Sequence, residues 1–331
     1  MAVIVTGAAG FIGMHVCERL LARGERVVGV DTFNAYYDVA LKEARAARLA
    51  GQPGFDMARI DVADARAFEM LVQQVAPNRI VHLAAQAGVR YSLDNPFAYE
   101  RTNVAGQLSV LEACRHGPSV RHLIYASSSS VYGDRPLGGA GFREDEVLAA
   151  PASLYAATKR AGELMGETYA GLFGLGLTGL RFFTVYGPWG RPDMAYYGFT
   201  QKILAGEPIE VFGQGRMARD FTYIDDIVDG VMGVIDHPPG RGEHRIFNIG
   251  DSRPVGLMDM IAILERALGR EAVKRMRPMQ PGDVTATYAD ISRLAALCGY
   301  APKVTLEAGL PKFVEWYQGF HRDSAQHRSR I

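Results

Sequence analysis

A chain of 331 residues with 48% hydrophobic and 22% charged side chains is long enough for one large α/β domain plus a smaller one, and is too apolar to be disordered. Its 36 basic residues balance its 36 acidic ones, which argues against a general nucleic-acid or membrane-surface binder. Cys17, Cys114 and Cys298 are scattered without metal-ligand spacing, so no metal site is expected and packing in a reducing compartment is the reading.

The chain opens on Ala2–Thr6, which reads as a buried strand; no basic n-region or long apolar span is seen, so the expected location is the cytoplasm, with no membrane partner. Further strands are expected at Arg26–Val30, Arg79–Leu83, His122–Ser127 and Leu175–Phe182. Apolar residues at helical spacing mark Phe11–Ala22, Ala65–Val75 and Phe97–His116 between them. Strand alternating with helix implies parallel strands joined by crossovers, hence a doubly wound Rossmann-type sheet. Residues 1–182 are read as a dinucleotide-binding domain. A Gly/Pro-rich stretch from Gly133 to Pro151 separates the fifth strand from the next helix. Residues 183–331 carry more turn signals and are read mainly as a smaller α/β substrate domain. A strand at Arg245–Ile249 is expected to return to the main sheet, within a returning segment near 225–250, and the polar residues from Arg322 onward are expected to fray.

The first strand runs into Gly7-Ala8-Ala9-Gly10-Phe11-Ile12-Gly13 and then into an amphipathic helix. Gly7 permits the tight turn, Gly10 allows backbone to approach a pyrophosphate, and Gly13 allows close helix–strand packing. The helix N-terminus offers N–H groups to the phosphates. A glycine triplet alone is weak, but here the strand–turn–helix context is present. The second strand delivers Asp31, where a carboxylate accepts ribose hydroxyls and repels a 2′-phosphate, favouring NAD over NADP. Asp61 and Val62, taken as the end of the third strand, and Leu83, Ala84, Ala85 and Gln86, at the end of the fourth, are further cofactor contacts. Asn103, in an apolar helical pattern, is another; each reads equally well as structure.

Tyr155-Ala-Ala-Thr-Lys159 places a phenol and an ammonium one helical turn apart. An ammonium beside a phenol stabilises the phenolate, which can then take a proton from an alcohol. Such a pair also arises by accident, and position decides. It follows a strand ending Tyr125-Ala-Ser127-Ser128-Ser129-Ser130-Val-Tyr132-Gly133, which delivers hydroxyls to the carboxyl edge of the sheet, where ligands bind.

The glycine triplet, the serine-rich strand before Val-Tyr-Gly and Tyr-x-x-x-Lys together resemble the extended short-chain dehydrogenase/reductase family, over nearly the whole chain. The resemblance implies Ser128 as third catalytic group, Tyr155 as base and Lys159 as its electrostatic partner on the nicotinamide ribose, with Asn34, Ser127 and Phe182 also at the cofactor. Four functions compete. Dehydratases of the family carry Asp-Glu where Ser129 and Ser130 stand, and decarboxylases carry a glutamate at Ser130; serine cannot do that carboxyl chemistry. A non-enzymatic cofactor-binding sensor need not keep the triad. Epimerisation at sugar C4 remains.

Arg181-Phe-Phe-Thr184-Val-Tyr-Gly-Pro-Trp-Gly-Arg191-Pro-Asp-Met-Ala195 is similar to the UDP-hexuronate 4-epimerases, as are Asn34-Ala-Tyr-Tyr-Asp38 and Met279-Gln-Pro-Gly-Asp283-Val. UDP-galactose 4-epimerases carry asparagine at Thr184. The resemblance implies Ser129, Ser130, Thr184 and Arg191 around a sugar carboxylate, although Arg191 also reads as an ordinary loop arginine. It further implies Val211 and Phe212 at uracil, Arg219 on the diphosphate and Asp283 on a ribose hydroxyl, with Arg90 a further anion contact. Gln280 departs from the arginine frequent in such epimerases, and Arg277 is a possible substitute. His82 reads as a satisfied core residue, Asp225-Asp226 as a helix start, Trp189 as a pocket wall and Trp316 as packing. The apolar faces of Phe97–His116 and Ser153–Leu172 imply, by the resemblance, a homodimer.

Overall fold

Val3, Ile4 and Val5 are all fully buried, as a parallel strand covered on both faces requires. They belong to β1 (Ala2–Thr6), followed by α1 (Phe11–Ala22), β2 (Arg26–Val30), α2 (Val39–Ala50), β3 (Phe55–Ala58), α3 (Ala65–Val75) and β4 (Arg79–His82). The computed structural model describes residues 2–134, 140–280 and 282–328, so part of the Gly133–Pro151 stretch lies outside the described residues.

Two short helices, α4 (Tyr91–Asp94) and α5 (Pro96–Tyr99), lead through a π-helical stretch at Glu100–Ala105 into α6 (Gly106–His116). The expected single helix Phe97–His116 is therefore one helical path with a π segment inside it, and periodicity alone does not reveal such a bulge. Next come β5 (His122–Ser128), α7 (Leu154–Phe173), β6 (Leu177–Phe182), β7 (Thr184–Tyr186), α8 (Ala195–Ala205), β8 (Ile209–Val211) and β9 (Ala218–Tyr223). The chain ends with α9 (Ile224–Asp236), β10 (His244–Ile249), β11 (Pro254–Gly256), α10 (Leu257–Leu268), β12 (Lys274–Met276), α11 (Ser292–Cys298) and α12 (Leu306–Arg328).

The main sheet has seven parallel strands in the order β10-β6-β5-β4-β1-β2-β3, a doubly wound arrangement. Alternation along β1 divides the core. Val3 and Val5 pack with α1 and α9 on one face, while Ile4 packs with α3, α6 and α7 on the other. Strand β10 pairs in parallel with β6, bringing Arg245–Ile249 back to the sheet after a long excursion. The second half adds a three-stranded sheet, β11-β9-β7, and the pair β12-β8, beside the carboxyl edge of the main sheet.

Three expectations shift. The third strand ends at Ala58, so Asp61 and Val62 lie in the following loop, and Leu83 lies just beyond β4. The segment 39–50 is a helix that hydrophobic spacing does not announce. Helix α12 runs through Arg328, past the Arg322 where fraying is expected, and Leu310, Phe313, Val314 and Tyr317 bury its earlier turns.

Candidate active site

The carboxyl ends of β1, β2, β4, β5 and β6 open onto one cleft of about 1150 Å³. At β1 the chain turns through Gly7 at φ +71°, where a Cβ would lie 2.8 Å from the Ala84 nitrogen. A Cβ on Gly13 would lie 2.0 Å from the Gly7 carbonyl oxygen, so the turn closes only with hydrogen there. Helix α1 then begins at Gly10 with no side-chain cap and no acidic residue in its first turn. Its first N–H groups face the cleft at Phe11, Ile12 and Gly13, a cradle fitted to a pyrophosphate.

Asp31 follows β2 and lines the cleft; its carboxylate accepts from the Ala9 nitrogen (3.1 Å) and the Phe33 nitrogen (2.8 Å). Asn34 accepts from the Lys42 ammonium at 2.6 Å, and Lys42 lines the cleft too. Asp61, Val62, Leu83, Ala84, Ala85, Gln86, Ser127 and Phe182 line the cleft beside them. Asn103 does not line it. From the π-helical stretch its side chain accepts from the Gln86 nitrogen (2.8 Å) and donates to the Gln86 oxygen (3.0 Å) and Thr158 (3.1 Å), thereby holding Gln86 at the wall. These residues fit a dinucleotide without a 2′-phosphate.

Ser128 ends β5, and its hydroxyl donates to Ser130 at 3.1 Å within the turn that also presents Ser129. Tyr155 and Lys159 rise from α7, whose first turn is capped by Ser153 accepting from Ala156. Burial raises the Tyr155 phenol pKa, and a Ser128 hydrogen bond and the Arg191 charge pull it part of the way back. Burial and Arg191 bring the Lys159 ammonium down to about 8, and it donates to the Ala126 oxygen at 2.9 Å.

Behind them, Ser127 donates to Glu163 at 2.6 Å, and Glu163 takes a bidentate pair from Arg181 (2.8 and 3.0 Å). Arg181 also donates to the Tyr132 hydroxyl at 2.8 Å. This buried network fixes the serine-rich strand end from below.

Thr184 opens β7 and Arg191 follows it into the cleft. Arg191 is gripped by Asp193, through its Nε at 3.0 Å and through Nη2. Burial opposes the guanidinium charge, and Asp193 more than restores it; burial likewise opposes the Asp193 carboxylate, which Arg191 holds below its usual range. Tyr36 donates at 3.3 Å to Asp193 Oδ2, the oxygen that also takes Arg191 Nη2. Asp193, Tyr36 and Lys42 were not singled out from sequence. Tyr36 and Asp193 lie inside the Asn34–Asp38 and Arg181–Ala195 segments, whose pattern carries roles for Asn34, Phe182, Thr184 and Arg191 but not for these two; Lys42 lies outside both, in a helix without a clear apolar period.

Across the cleft, Arg90 donates to Asp283 at 3.0 Å and stacks over Phe212 at 4.8 Å. Arg219 instead turns inward, donating to the Ala218 and Thr285 oxygens at 2.8 and 3.3 Å, and does not line the cleft. Val211 packs into the core and its carbonyl accepts from the Arg277 nitrogen at 2.9 Å. The Arg277 guanidinium pairs with Glu210 and does not line the cleft. Trp189 faces away, against Trp316 and Phe320, which corrects its reading as a pocket wall. His82 is buried against Thr6 (2.7 Å), and burial holds its imidazole neutral with a pKa of about 3. Asp225 and Asp226 sit in the first turn of α9, and no metal-holding cluster occurs among the described residues.

The model of the NAD-dependent epimerase/dehydratase family matches residues 3–250. The chain is 45% identical to UDP-glucuronate 4-epimerase 2 of Arabidopsis thaliana over 340 residues, covering 98% of this chain and 78% of that one. It is similar to the crystal structure of UDP-glucuronic acid 4-epimerase from Bacillus cereus in complex with UDP-glucuronic acid and NAD. There the TM-score is 0.89 at 35% identity, covering 97% of this chain and 100% of the other. A UDP-glucose 4-epimerase from Thermotoga maritima with UDP-glucose gives a TM-score of 0.86 at 29% identity, covering 97% and 99%. With the dinucleotide turn, the serine-rich strand end and the tyrosine–lysine pair meeting in one cleft, and with relatives aligned along nearly its whole length, the chain belongs to the NAD-dependent epimerase/dehydratase family.

Proposed function

We propose that the chain is an NAD-dependent epimerase that inverts C4 of UDP-glucuronate to give UDP-galacturonate. The observation that carries the uronate reading is Arg191, a cleft cation seated with Thr184, Ser129 and Ser130 on the same wall system as Tyr155. A planar guanidinium suits a planar carboxylate. The named UDP-glucuronate 4-epimerases among its relatives support the same assignment.

NAD held at the Gly7–Gly13 turn and Asp31 would supply the hydride acceptor for C4 and the same hydride for return to the opposite face, with no net change in the cofactor. Tyr155 takes the C4 hydroxyl proton and gives it back, with Ser128 bonded to the reacting oxygen and Lys159 supplying positive charge beneath. The 4-keto uronate between the two halves is a β-keto acid. It loses carbon dioxide when the breaking C–C bond aligns with the carbonyl π system. Arg191, Thr184, Ser129 and Ser130 hold the carboxylate out of that alignment. Arg90, Phe212 and Asp283 take the nucleotide. Val211 and Arg219 lie outside the cleft wall.

Residues 1–182 with the segment near 225–250 serve the cofactor, and 183–331 mainly the nucleotide sugar. The working form is a homodimer in the cytoplasm. Phe97, Leu108, Leu164 and Leu172 expose apolar surface along α5, α6 and α7, as a four-helix contact between copies needs. The free cysteines suit a reducing compartment, and among the described residues no helix is long and apolar enough to cross a membrane.

Incubation with UDP-glucuronate, followed by chromatography or NMR with UDP-galactose as control, tests the assignment. Conversion to UDP-galacturonate without net NADH is expected. Turnover of only the neutral sugar would remove the uronate reading, and carbon dioxide with a pentose product would make the enzyme a decarboxylase. Arg191→Ala is expected to release a UDP-4-keto-pentose, carbon dioxide and NADH from UDP-glucuronate; if none appears, the carboxylate is restrained by something else.

A further inference from the structure

Among the described residues, Arg45 is a large side chain with no exposure to solvent, and no carboxylate is within ion-pair distance of it. A buried cation without a counter-ion is costly unless every donor is satisfied, and an apolar side chain would fill the same space at lower cost. Here every guanidinium nitrogen is engaged. Nε and Nη2 donate to the Trp189 oxygen at 3.1 and 2.6 Å, and Nη2 donates to the Gly190 oxygen at 3.0 Å. Nη1 donates to the Ala9 oxygen at 3.3 Å and to the Tyr37 hydroxyl at 2.7 Å.

These acceptors are not a random set. Ala9 lies inside the Gly7–Gly13 turn that cradles the dinucleotide. Trp189 and Gly190 immediately precede Arg191. Trp189 holds φ +64°, a backbone state that side-chain-bearing residues rarely adopt, which persists only where surroundings over-determine it. Arg45 grips its carbonyl from one side, and the Arg48 guanidinium lies 5.2 Å over its indole ring. A Cβ on Gly190 would lie 2.2 Å from the Tyr196 hydroxyl oxygen, so the segment is also pressed against α8.

We propose that Arg45 is a positioning residue, a strut that ties the dinucleotide turn to the Trp189–Arg191 loop and so sets the uronate-binding guanidinium against the bound cofactor. Its forked geometry does this, not its charge alone, since a lysine ammonium in the same place cannot span both loops. The role rests on the uronate 4-epimerase reading. An enzyme that delivers hydride to both faces of one carbon needs the carboxylate anchor and the hydride acceptor at a fixed separation, and misplacement by about 1 Å can cost roughly 100-fold in rate.

The test compares Arg45→Lys, Arg45→Met and Tyr37→Phe with wild type. For Arg45→Lys, a folded protein is expected with kcat/KM for UDP-glucuronate reduced about 100-fold and a pentose product absent from wild type. Hydrogen exchange with and without added NAD reads the strut directly. NAD is expected to slow exchange in residues 187–194 of wild type, and this coupling should vanish in Arg45→Lys while protection of the Gly7–Gly13 turn by NAD remains. If Arg45→Met does not fold, Arg45→Lys and Tyr37→Phe still decide, with Tyr37→Phe expected to weaken the coupling partially. A lowered melting temperature with coupling and product split unchanged in Arg45→Lys would overturn the proposal and leave Arg45 a structural residue. Failure of wild type to turn over UDP-glucuronate would remove the uronate reading, while the NAD-dependent exchange would still report whether the two loops are joined.

Discussion

In the proposed reaction, proton transfer rests on side chains whose surroundings push them in different directions. Burial raises the Tyr155 phenol pKa, which alone would make it a poor base, and Ser128 and Arg191 oppose that rise. Tyr155→Phe is expected to lower kcat by about 10²–10⁴-fold with NAD retention unchanged. Steady-state rates together with the cofactor content of the purified variant check this, and wild-type rates would remove Tyr155 as the base. Lys159, brought down to about 8, is charged below that pH and neutral above it. The positive charge beneath the phenol is therefore lost as pH rises, and kcat/KM is expected to fall above about pH 8. Lys159→Arg keeps its charge across that range, so any activity it retains should lack this alkaline limb in a pH–rate profile. Tyr155 and Lys159 were legible in sequence because they sit one helical turn apart in one motif, and Ser128 followed from the family resemblance of the serine-rich strand end. Asp193 was not, because its importance lies in contacting Arg191 and Tyr36, and Tyr36 is 157 positions away.

The serine-rich end of β5 is held by a neighbouring helix and strand through charge. Glu163 on α7 and Arg181 on β6 are both almost fully buried and bonded to each other, and Glu163 also accepts from Ser127. Burial alone would raise the Glu163 carboxyl, but Arg181, Ser127 and Arg160 hold it below the usual range. Such a depressed carboxyl stabilises the fold above its unfolded pKa of about 4.5, and that stabilisation disappears as pH falls through the lower folded value. Glu163→Ala leaves Arg181 buried without its partner, at an expected cost of about 3–5 kcal/mol in urea unfolding at pH 7. The stability difference between wild type and Glu163→Gln should narrow as pH drops below about 4.5; a constant difference would mean that the charge is not what holds the strand end. Helix α2 escaped sequence reading for a related reason. Its inward face uses Lys42 and Arg45 alongside Leu41, Ala46 and Leu49, so the apolar period that marks a helix is interrupted by cations. Strand β3 is a short, partly exposed edge strand and carries little pattern of its own.

At the scale of the whole molecule, helices α6 and α7 pack together on one face of the sheet and turn exposed leucines outward at Leu108, Leu164 and Leu172. Leu164 and Leu172 are two turns apart on one stripe of α7. The double substitution Leu164→Arg with Leu172→Arg is expected to convert a dimer into a monomer by sedimentation or light scattering, with the fold retained by circular dichroism. An unchanged mass would place the contact between copies elsewhere. Arg90 spans the cleft to Asp283 and Phe212, so the two halves of the chain already touch at the nucleotide end.

Local order was decided by sequence: the alternating strands and helices, the glycine turn opening α1, Asp31 at the end of β2 and the Tyr155–Lys159 spacing. Each depends on spacing within a single strand, turn or helix, where backbone geometry makes a short pattern sufficient. Long-range convergence was decided only by tertiary structure. It seated β10 beside β6, turned Arg219 and Trp189 away from the cleft, closed Asp193 on Arg191, and aimed Arg45 at carbonyls 144 and 145 residues away. A guanidinium bonding to a distant carbonyl depends on the path of the folded chain and has no period in sequence to announce it.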